Sequence, residues 1–455
     1  MIKSVILAAG EGTRMKSKLP KVMHEVCGKP MLFHILDVVN KSGVEKNLLI
    51  LGHSRETIED MVKAEYKDVI AKEQPVGDQY PYGTGFAVKQ AIDEIDDKDQ
   101  VLILCGDTPL LSQESIEGIL KFHTEKKNDL TVMTTLLEKP FGYGRIVRNE
   151  RGIVKGIVEQ KDASLEQREI REINSGIFVV RGQLLKQTLS MLSMDNAQNE
   201  MYLTDIVRLA FELDQRVEGY ILGNAEEILG VNTRVQLEQV QQIMRRRINE
   251  QHMLNGVEFI DARTAYIDKD VKIGQDTTIY PNVILQGTTT IGDDCIIGSQ
   301  TKIVDSVIGD RNDIQSTTIL SSTVENDNSI GPFAYLRPNS KVASNIKIGD
   351  FVEVKNTTIK DGSKVPHLAY VGDGEIGESC NIGCGVIFCN YDGKNKHKTK
   401  LGDHVFIGSN SNLVAPVEVE SYGYVAAGST ITNKVEERDL AIARARQVNK
   451  KNWVK

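Results

Sequence analysis

The chain lacks any apolar stretch that approaches the ~18 residues of a membrane span. Its opening segment, MIKSVILAAGEG, has too short an apolar run for a secretory signal. Both absences lead us to expect a soluble, cytoplasmic protein. Positive charge is also short: 55 Lys and Arg stand against 63 Asp and Glu, a net −8. That balance excludes a bulk electrostatic affinity for nucleic acid or membrane and leaves phosphate chemistry to local basic residues. The six cysteines, at 27, 105, 295, 380, 384 and 389, form no paired CxxC units. We read them as reduced thiols, with Cys380, Cys384 and Cys389 as small residues of an interior or a site wall rather than metal ligands. A GK[ST] P-loop is missing, as is the third glycine of a dinucleotide fingerprint.

What is present is a period of six. Ile267, Ile273, Ile279, Leu285, Ile291, Ile297 and Ile303 keep it; after a slip it resumes at Ile330, Leu336, Val342, Ile348 and Val354; Leu401, Ile407, Leu413, Val419, Val425 and Ile431 close it. Six fits neither the helical 3.6 nor the strand period of two, so it marks a repeat. A short strand plus a corner accounts for one unit, and three units make one triangular coil. Successive coils stack their aliphatics in columns at ~4.8 Å. Charged and polar residues break the pattern at 361–367 and 389–400, which we read as two loops extruded from a rigid solenoid, where function is expected.

Residues 1–229 alternate apolar runs with helical patterns. Ser4–Ala9, Asn47–Leu51, Gln100–Cys105, Leu130–Thr135 and Ile177–Val180 predict strands of an α/β sheet with helices on its faces and ligands at strand carboxyl ends. Between the halves, the Gly- and Pro-free segment around Val240, Ile243, Met244 and Ile248 predicts a linker helix over 230–250, leaving 251–455 for the repeat and a basic tail. The Arg245–Arg247 run reads as a solvated face of that helix.

Two groups of motifs carry chemistry. In the first half, Leu7-Ala8-Ala9-Gly10-Glu-Gly-Thr-Arg14-Met is a strand entering a glycine-rich turn, followed by Pro20-Lys21. Such a turn lets backbone N–H groups approach phosphates while Arg14 and Lys21 neutralise charge. Asp107 ends a strand, where a carboxylate can hold Mg²⁺ together with substrate phosphates. In the second half, His367 is a neutral base suited to an amine acceptor, and Arg337 and Lys355 are cations suited to a phosphorylated one.

The full string LAAGEGTRM with its downstream PK resembles the signature of the sugar-phosphate nucleotidylyltransferases. Gly83-Thr84-Gly85, Cys105-Gly-Asp-Thr-Pro-Leu110, Gly142-Tyr-Gly144-Arg145, Val158-Glu159, Asn174-Ser-Gly and Gly230-Val-Asn232 follow in the family's order. The six-residue repeat resembles the left-handed parallel β-helix of the hexapeptide acyltransferases. Together the halves resemble the bacterial bifunctional enzymes that acetylate glucosamine 1-phosphate with acetyl-CoA and then couple the product to UTP, releasing pyrophosphate. The resemblance implies a Rossmann-like α/β nucleotidyltransferase domain, a left-handed β-helix, Mg²⁺ on Asp107 and Asn232, and a homotrimer. It further implies that Gly83 and Thr84 hold the uridine, that Gly144, Glu159 and Asn174 hold the sugar, and that His367 is the acetyl-transfer base. Arg337, Lys355, Tyr370, Asn381 and Lys396 would bind the acceptor phosphate; Cys384, Asn390, Tyr391, Ser409, Ala427 and Arg444 would line the acetyl-CoA site. One stretch departs from the family. Residues 73–85 are about seven longer than in relatives, and Gln74, Gln79 or neither meets the base. Rival readings keep the layout but make the solenoid a scaffold, or the whole chain a regulatory subunit; the joint presence of His367, Tyr370, Asn390 and Tyr391 speaks against the first, and intact Arg14, Lys21 and Asp107 against the second.

Overall fold

A computed structural model describes residues 1–77 and 79–454. It divides into two compact units, Met1–Met244 and Arg245–Lys455. The division falls inside a helix, Arg234–Leu254. Leu237, Val240 and Met244 are buried along that helix at helical spacing, while Arg245 lies over the Tyr266 ring at 4.5 Å.

The first unit is built on a mixed sheet. From one edge its main strands run Val217–Ile221, Leu130–Leu136, Glu172–Arg181, Gln100–Cys105, Ile2–Leu7, Lys46–Leu51 and Val69–Glu73. Ile2–Leu7 pairs in parallel with both its neighbours, whereas Glu172–Arg181 runs antiparallel to both of its own. Period-two alternation sorts the strand side chains onto two faces. Ile6, Leu49, Leu51, Leu102 and Leu104 enter one core, and Val5, Leu48, Ile50, Val101 and Ile103 enter the other. A sheet covered on both faces can bind ligands only at its ends, so the ends of Ile2–Leu7 and Gln100–Cys105 become the place for chemistry. The sequence reading missed Val69–Glu73, Val217–Ile221 and the hairpin Arg145–Arg148/Val154–Val158. Each is only four or five residues long and carries one or two charged residues, too short an apolar run to show the strand period.

The second unit is a parallel β-helix of three sheets, whose strands are two to four residues long and always pair with the strand one coil away. Ile273 pairs with Ile291, Ile291 with Ile308 and Ile303 with Ile319, so coils of eighteen, seventeen and sixteen residues all keep their aliphatics in column. The slip after Ile303 is therefore a shortening at corners and leaves the interior unbroken. Ile297, Ile303, Ile314, Ile319, Leu336, Ile348 and Val354 are fully buried in one continuous core. Each contributes about 2 kcal/mol of burial.

One expected loop is corrected. Residues 361–367 are not extruded: Lys364–His367 is a strand paired with Lys347–Asp350, and Val365 is fully buried in the column. Its lysine and histidine point outward from an intact coil, which gives the segment the composition of a loop. The second interruption does leave the coil, since Phe388 pairs with Leu413, twenty-five residues on, with an insertion tied off by the Tyr391–Lys396 bridge. Past Ile431, Leu440–Ala441 adds a last strand before the exposed tail.

Adjacent isoleucines test this architecture. Ile296 is 41% exposed and Ile297 fully buried. Ile297→Asp should cost about 4 kcal/mol or more and collapse the urea midpoint of the solenoid, and Ile296→Asp should shift it little. Equal effects would contradict the column.

Candidate active sites

In the first unit, Leu7 and Cys105 are register partners at the ends of parallel strands. Ala8 donates its N–H to Ile50 O at 2.9 Å and Gly106 its own to Leu7 O at 2.9 Å, so the chain leaves the sheet with Ala9 and Gly10 at its edge. Gly12 adopts φ +66, and a Cβ there would press on the Lys21 side chain at 2.7 Å. That close approach seats Lys21, whose ammonium ion-pairs with Asp107 and lies 3.2 Å from Asn232 Oδ1. Arg14 donates to the same amide oxygen at 3.0 Å. Val231 N–H on Asp107 O, at 3.0 Å, ties the Asn232 segment to the strand end. Four sequence-predicted residues from distant parts of the chain thus meet around one point. Asp107 and Asn232 aim two hard oxygens at one cationic centre, the donor chemistry that Mg²⁺ requires. No group of three or more His, Cys, Asp or Glu able to hold a metal occurs among the described residues.

Beside this point lies a second cluster. Asn174 N–H donates to Gly144 O at 2.9 Å, and a Cβ on Gly144 would stand 3.3 Å from Glu159 Oε1. Burial pushes the Glu159 carboxyl up, against a 3.1 Å hydrogen bond from Thr204. Arg145, 2% exposed, braces the loop by donating to Gln160 Oε1 at 2.8 Å. Thr84 Oγ1 accepts from Leu203 N–H at 3.1 Å, and Gly83 lies so close to the Met201 backbone that a Cβ would collide with it. Met201–Thr204 therefore joins the Gly83–Thr84 side to the Glu159 side. Sequence reasoning missed this segment, because Thr204-Asp205 before a helix reads as an ordinary helix start. Gln74 is buried and donates its N–H to Leu51 O at 2.7 Å; exposed Gln79 folds its amide back over Gly77.

In the solenoid, stacking turns sequence spacing into neighbourhood. Lys355 is the register partner of Gly372, and Arg337, one coil below, donates its N–H to Val354 O at 2.8 Å and its guanidinium to Glu353 at 2.8 Å. A Cβ on Gly372 would meet Tyr370 Oη at 2.5 Å and Asn390 Nδ2 at 2.7 Å, which places those side chains together. Asn390 also donates to Asp373 at 2.5 Å. From the extruded insertion Lys396 returns against Lys355, whose ammonium pushes that of Lys396 down. Two crowded ammonium groups beside a guanidinium have the charge to hold an anion.

His367 stands at the previous corner. Its Nδ1 lies 2.7 Å from Asp350 Oδ1, one coil below. Lys364 pairs with Asn381 and Ile382 with Ile407, so the outward column continues through Cys384 and Ser409 to Ala427. Arg444 reaches Gly428, where a Cβ would stand 3.8 Å from its Cδ. His367, Cys384, Ser409 and Ala427 therefore share one outward column, with Arg444 beside its last coil, while Asn381 lies three residues before Cys384, between Lys364 and Phe406. Arg337, Lys355, Tyr370, Asn390, Tyr391 and Lys396 gather around the next strand.

A nucleotidyl transferase family model matches residues 3–227, and a bacterial transferase hexapeptide model of six repeats matches residues 270–305. The chain is 52% identical to the bifunctional protein GlmU of Clostridioides difficile, over 99% of this chain and 97% of that protein. It is 48% identical to the GlmU of Alkaliphilus metalliredigens, over 100% and 98%, and 48% identical to that of Listeria monocytogenes serotype 4a, over 99% and 98%. No helix among the described residues is long and apolar enough to cross a membrane. Full-length identity at this level, with a nucleotidyltransferase half and a hexapeptide half in one order, shows that the chain belongs to the GlmU family of bifunctional transferases and serves UDP-N-acetylglucosamine synthesis.

Proposed function

We propose that residues 1–229 carry the uridylyl transfer and residues 251–455 the acetyl transfer, joined through the linker helix, expected over 230–250 and found at Arg234–Leu254. The observation that carries the first assignment is the meeting of Arg14, Lys21, Asp107 and Asn232 at one strand end. There a phosphate oxygen of N-acetylglucosamine 1-phosphate attacks the α-phosphorus of UTP, the bond to the bridging oxygen of the β-phosphate breaks, and pyrophosphate leaves. Arg14 and Lys21 hold the triphosphate in line and neutralise it. Glu159 and Asn174 hold the sugar with the Gly144 loop, and Gly83 and Thr84 hold the uridine. Mg²⁺ would sit on Asp107 and Asn232 and supply further charge neutralisation. The second assignment rests on His367, a base on an outer edge with an anion site one strand away. Arg337, Lys355, Tyr370 and Lys396 take the acceptor phosphate together with Asn381 from the His367 side, and the column from Cys384 to Ala427, with Arg444 and with Asn390 and Tyr391 from the neighbouring group, takes acetyl-CoA. Acetylation precedes uridylylation, in the cytoplasm.

A homotrimer fits the solenoid surface. Phe333, Phe351 and Leu368 form a ladder at the corner next to His367, more than half exposed, with Phe333 and Phe351 stacked at 5.7 Å. All three have positive φ, of 60, 57 and 41, at a corner position where Asn339, Asn345 and Asn356 show the usual choice elsewhere. Bulky apolar residues held in that conformation in water suit burial against a second copy.

Three outcomes are expected. Asp107→Asn should lower pyrophosphate release by about 10²-fold or more and spare CoA release. His367→Ala should lower CoA release by roughly 10²- to 10⁴-fold and spare pyrophosphate release. Loss of both activities in either variant would overturn the division. Phe351→Glu should bring the mass by light scattering toward the 50.5 kDa of one chain, and an unchanged trimer would remove the ladder from the interface.

A further inference from the structure

Ile-Gly-Asp occurs three times in the solenoid, at 291–293, 308–310 and 348–350, and Leu-Gly-Asp once, at 401–403. In three of the four the aspartate does structural work on the coil before it. Asp293 Oδ1 accepts Gln275 N–H at 2.8 Å, Asp310 Oδ1 accepts Asp293 N–H at 3.0 Å and Asp403 Oδ1 accepts Glu378 N–H at 2.9 Å. Asp350 has a different partner: its Oδ1 meets Nδ1 of His367, in the coil after it, at 2.7 Å. The two residues are direct register partners in adjoining strands. Gly349 makes the approach possible, because a Cβ there would collide with the carbonyl oxygen of Pro366, the residue before His367.

We propose that Asp350 is a positioning residue for acetyl transfer, fixing the tautomer and ring orientation of His367 so that Nε2 is the proton acceptor. The inference rests on the reading of His367 as the base. An ionised carboxylate can only accept, and the hydrogen bond with His367 holds Asp350 below the usual carboxylate range. The proton of the neutral imidazole therefore stays on Nδ1 and the lone pair on Nε2. As the acceptor nitrogen bonds to the acetyl carbon, Nε2 takes the amine proton. As the thioester C–S bond breaks, Nε2 returns that proton to the departing CoA sulfur. The imidazolium that exists between these steps is stabilised by the Asp350 charge. Lys347 and Lys364 lie on the two paired strands, yet neither offers an acceptor for Nδ1.

The test uses the full chain with glucosamine 1-phosphate and acetyl-CoA, uridylyl transfer serving as the control for folding. Asp350→Ala should lower kcat for acetyl transfer about 10- to 10²-fold, a part of what a general base supplies, with KM for acetyl-CoA little changed. Asp350→Asn keeps an acceptor for Nδ1 and loses the charge, so it should fall between wild type and Asp350→Ala. In ¹⁵N spectra of histidine-labelled protein, His367 should be the Nδ1–H tautomer in wild type and lose that preference in Asp350→Ala. Wild-type kcat or an unchanged tautomer in Asp350→Ala would overturn the positioning role. The two readings fail separately. Activity persisting in His367→Ala would sink the base itself, whereas inactive His367→Ala beside fully active Asp350→Ala would sink Asp350 alone.

Discussion

Everything in the C-terminal unit depends on one steric demand: each third of a coil must point one aliphatic into a shared column. Ile348, Val365, Ile382 and Ile407 meet that demand in successive coils, although the last of these coils is twenty-five residues long and the two before it seventeen. Once the inward residues are locked, the outward ones have no freedom of register, because a slip of one residue would turn every side chain to the other face. The chemistry is written on that frame. Asp350, His367, Cys384, Ser409 and Ala427 are neighbours because seventeen to twenty-five residues separate positions that the column makes adjacent.

The N-terminal unit reaches the same end by another route. There the frame is a sheet buried on both faces, and the only backbone free to take unusual geometry lies where strands stop. Leu7 and Cys105 end side by side, so the glycine-rich turn after one and the Gly106-Asp107 turn after the other face a common point. Lys21 is seated by the close approach of its side-chain stem to Gly12, and Asn232 is brought in by the backbone bond of its neighbour Val231 to Asp107. This division of labour explains why glycines crowd the site. They let the loops approach closely, and the charged groups then find one another at short range.

How much of this was legible in the sequence follows from which constraints repeat. The β-helix was readable because its interior imposes the same condition dozens of times, and LAAGEGTRM was readable because a contiguous motif survives without any structure. Asp107, Lys21 and Asn232 were found through flanking motifs, and their convergence could only be seen in space. The misread segment at 361–367 shows the opposite case. Its inward residue, Val365, is a single position among charged neighbours, so composition outweighed register. Thr204 and Asp350 were invisible for a related reason: each is a small polar residue at a place, a helix start and an Ile-Gly-Asp corner, where such residues have an ordinary structural explanation.

The Asp350 case shows how a repeat can acquire chemistry. A corner aspartate that caps the preceding coil costs nothing in fit, since three equivalent residues do so in this chain. The outward position one coil above Asp350 is already set by the column, and a histidine placed there falls within 2.7 Å of the carboxylate without any change of backbone. Both rings and carboxylates on such an edge are more than a third exposed, so the pair gains little stability from its contact. Its proposed value lies in orientation: a rigid coil holds the carboxylate, the carboxylate holds the ring, and the imidazole is fixed in one tautomer before any acceptor arrives.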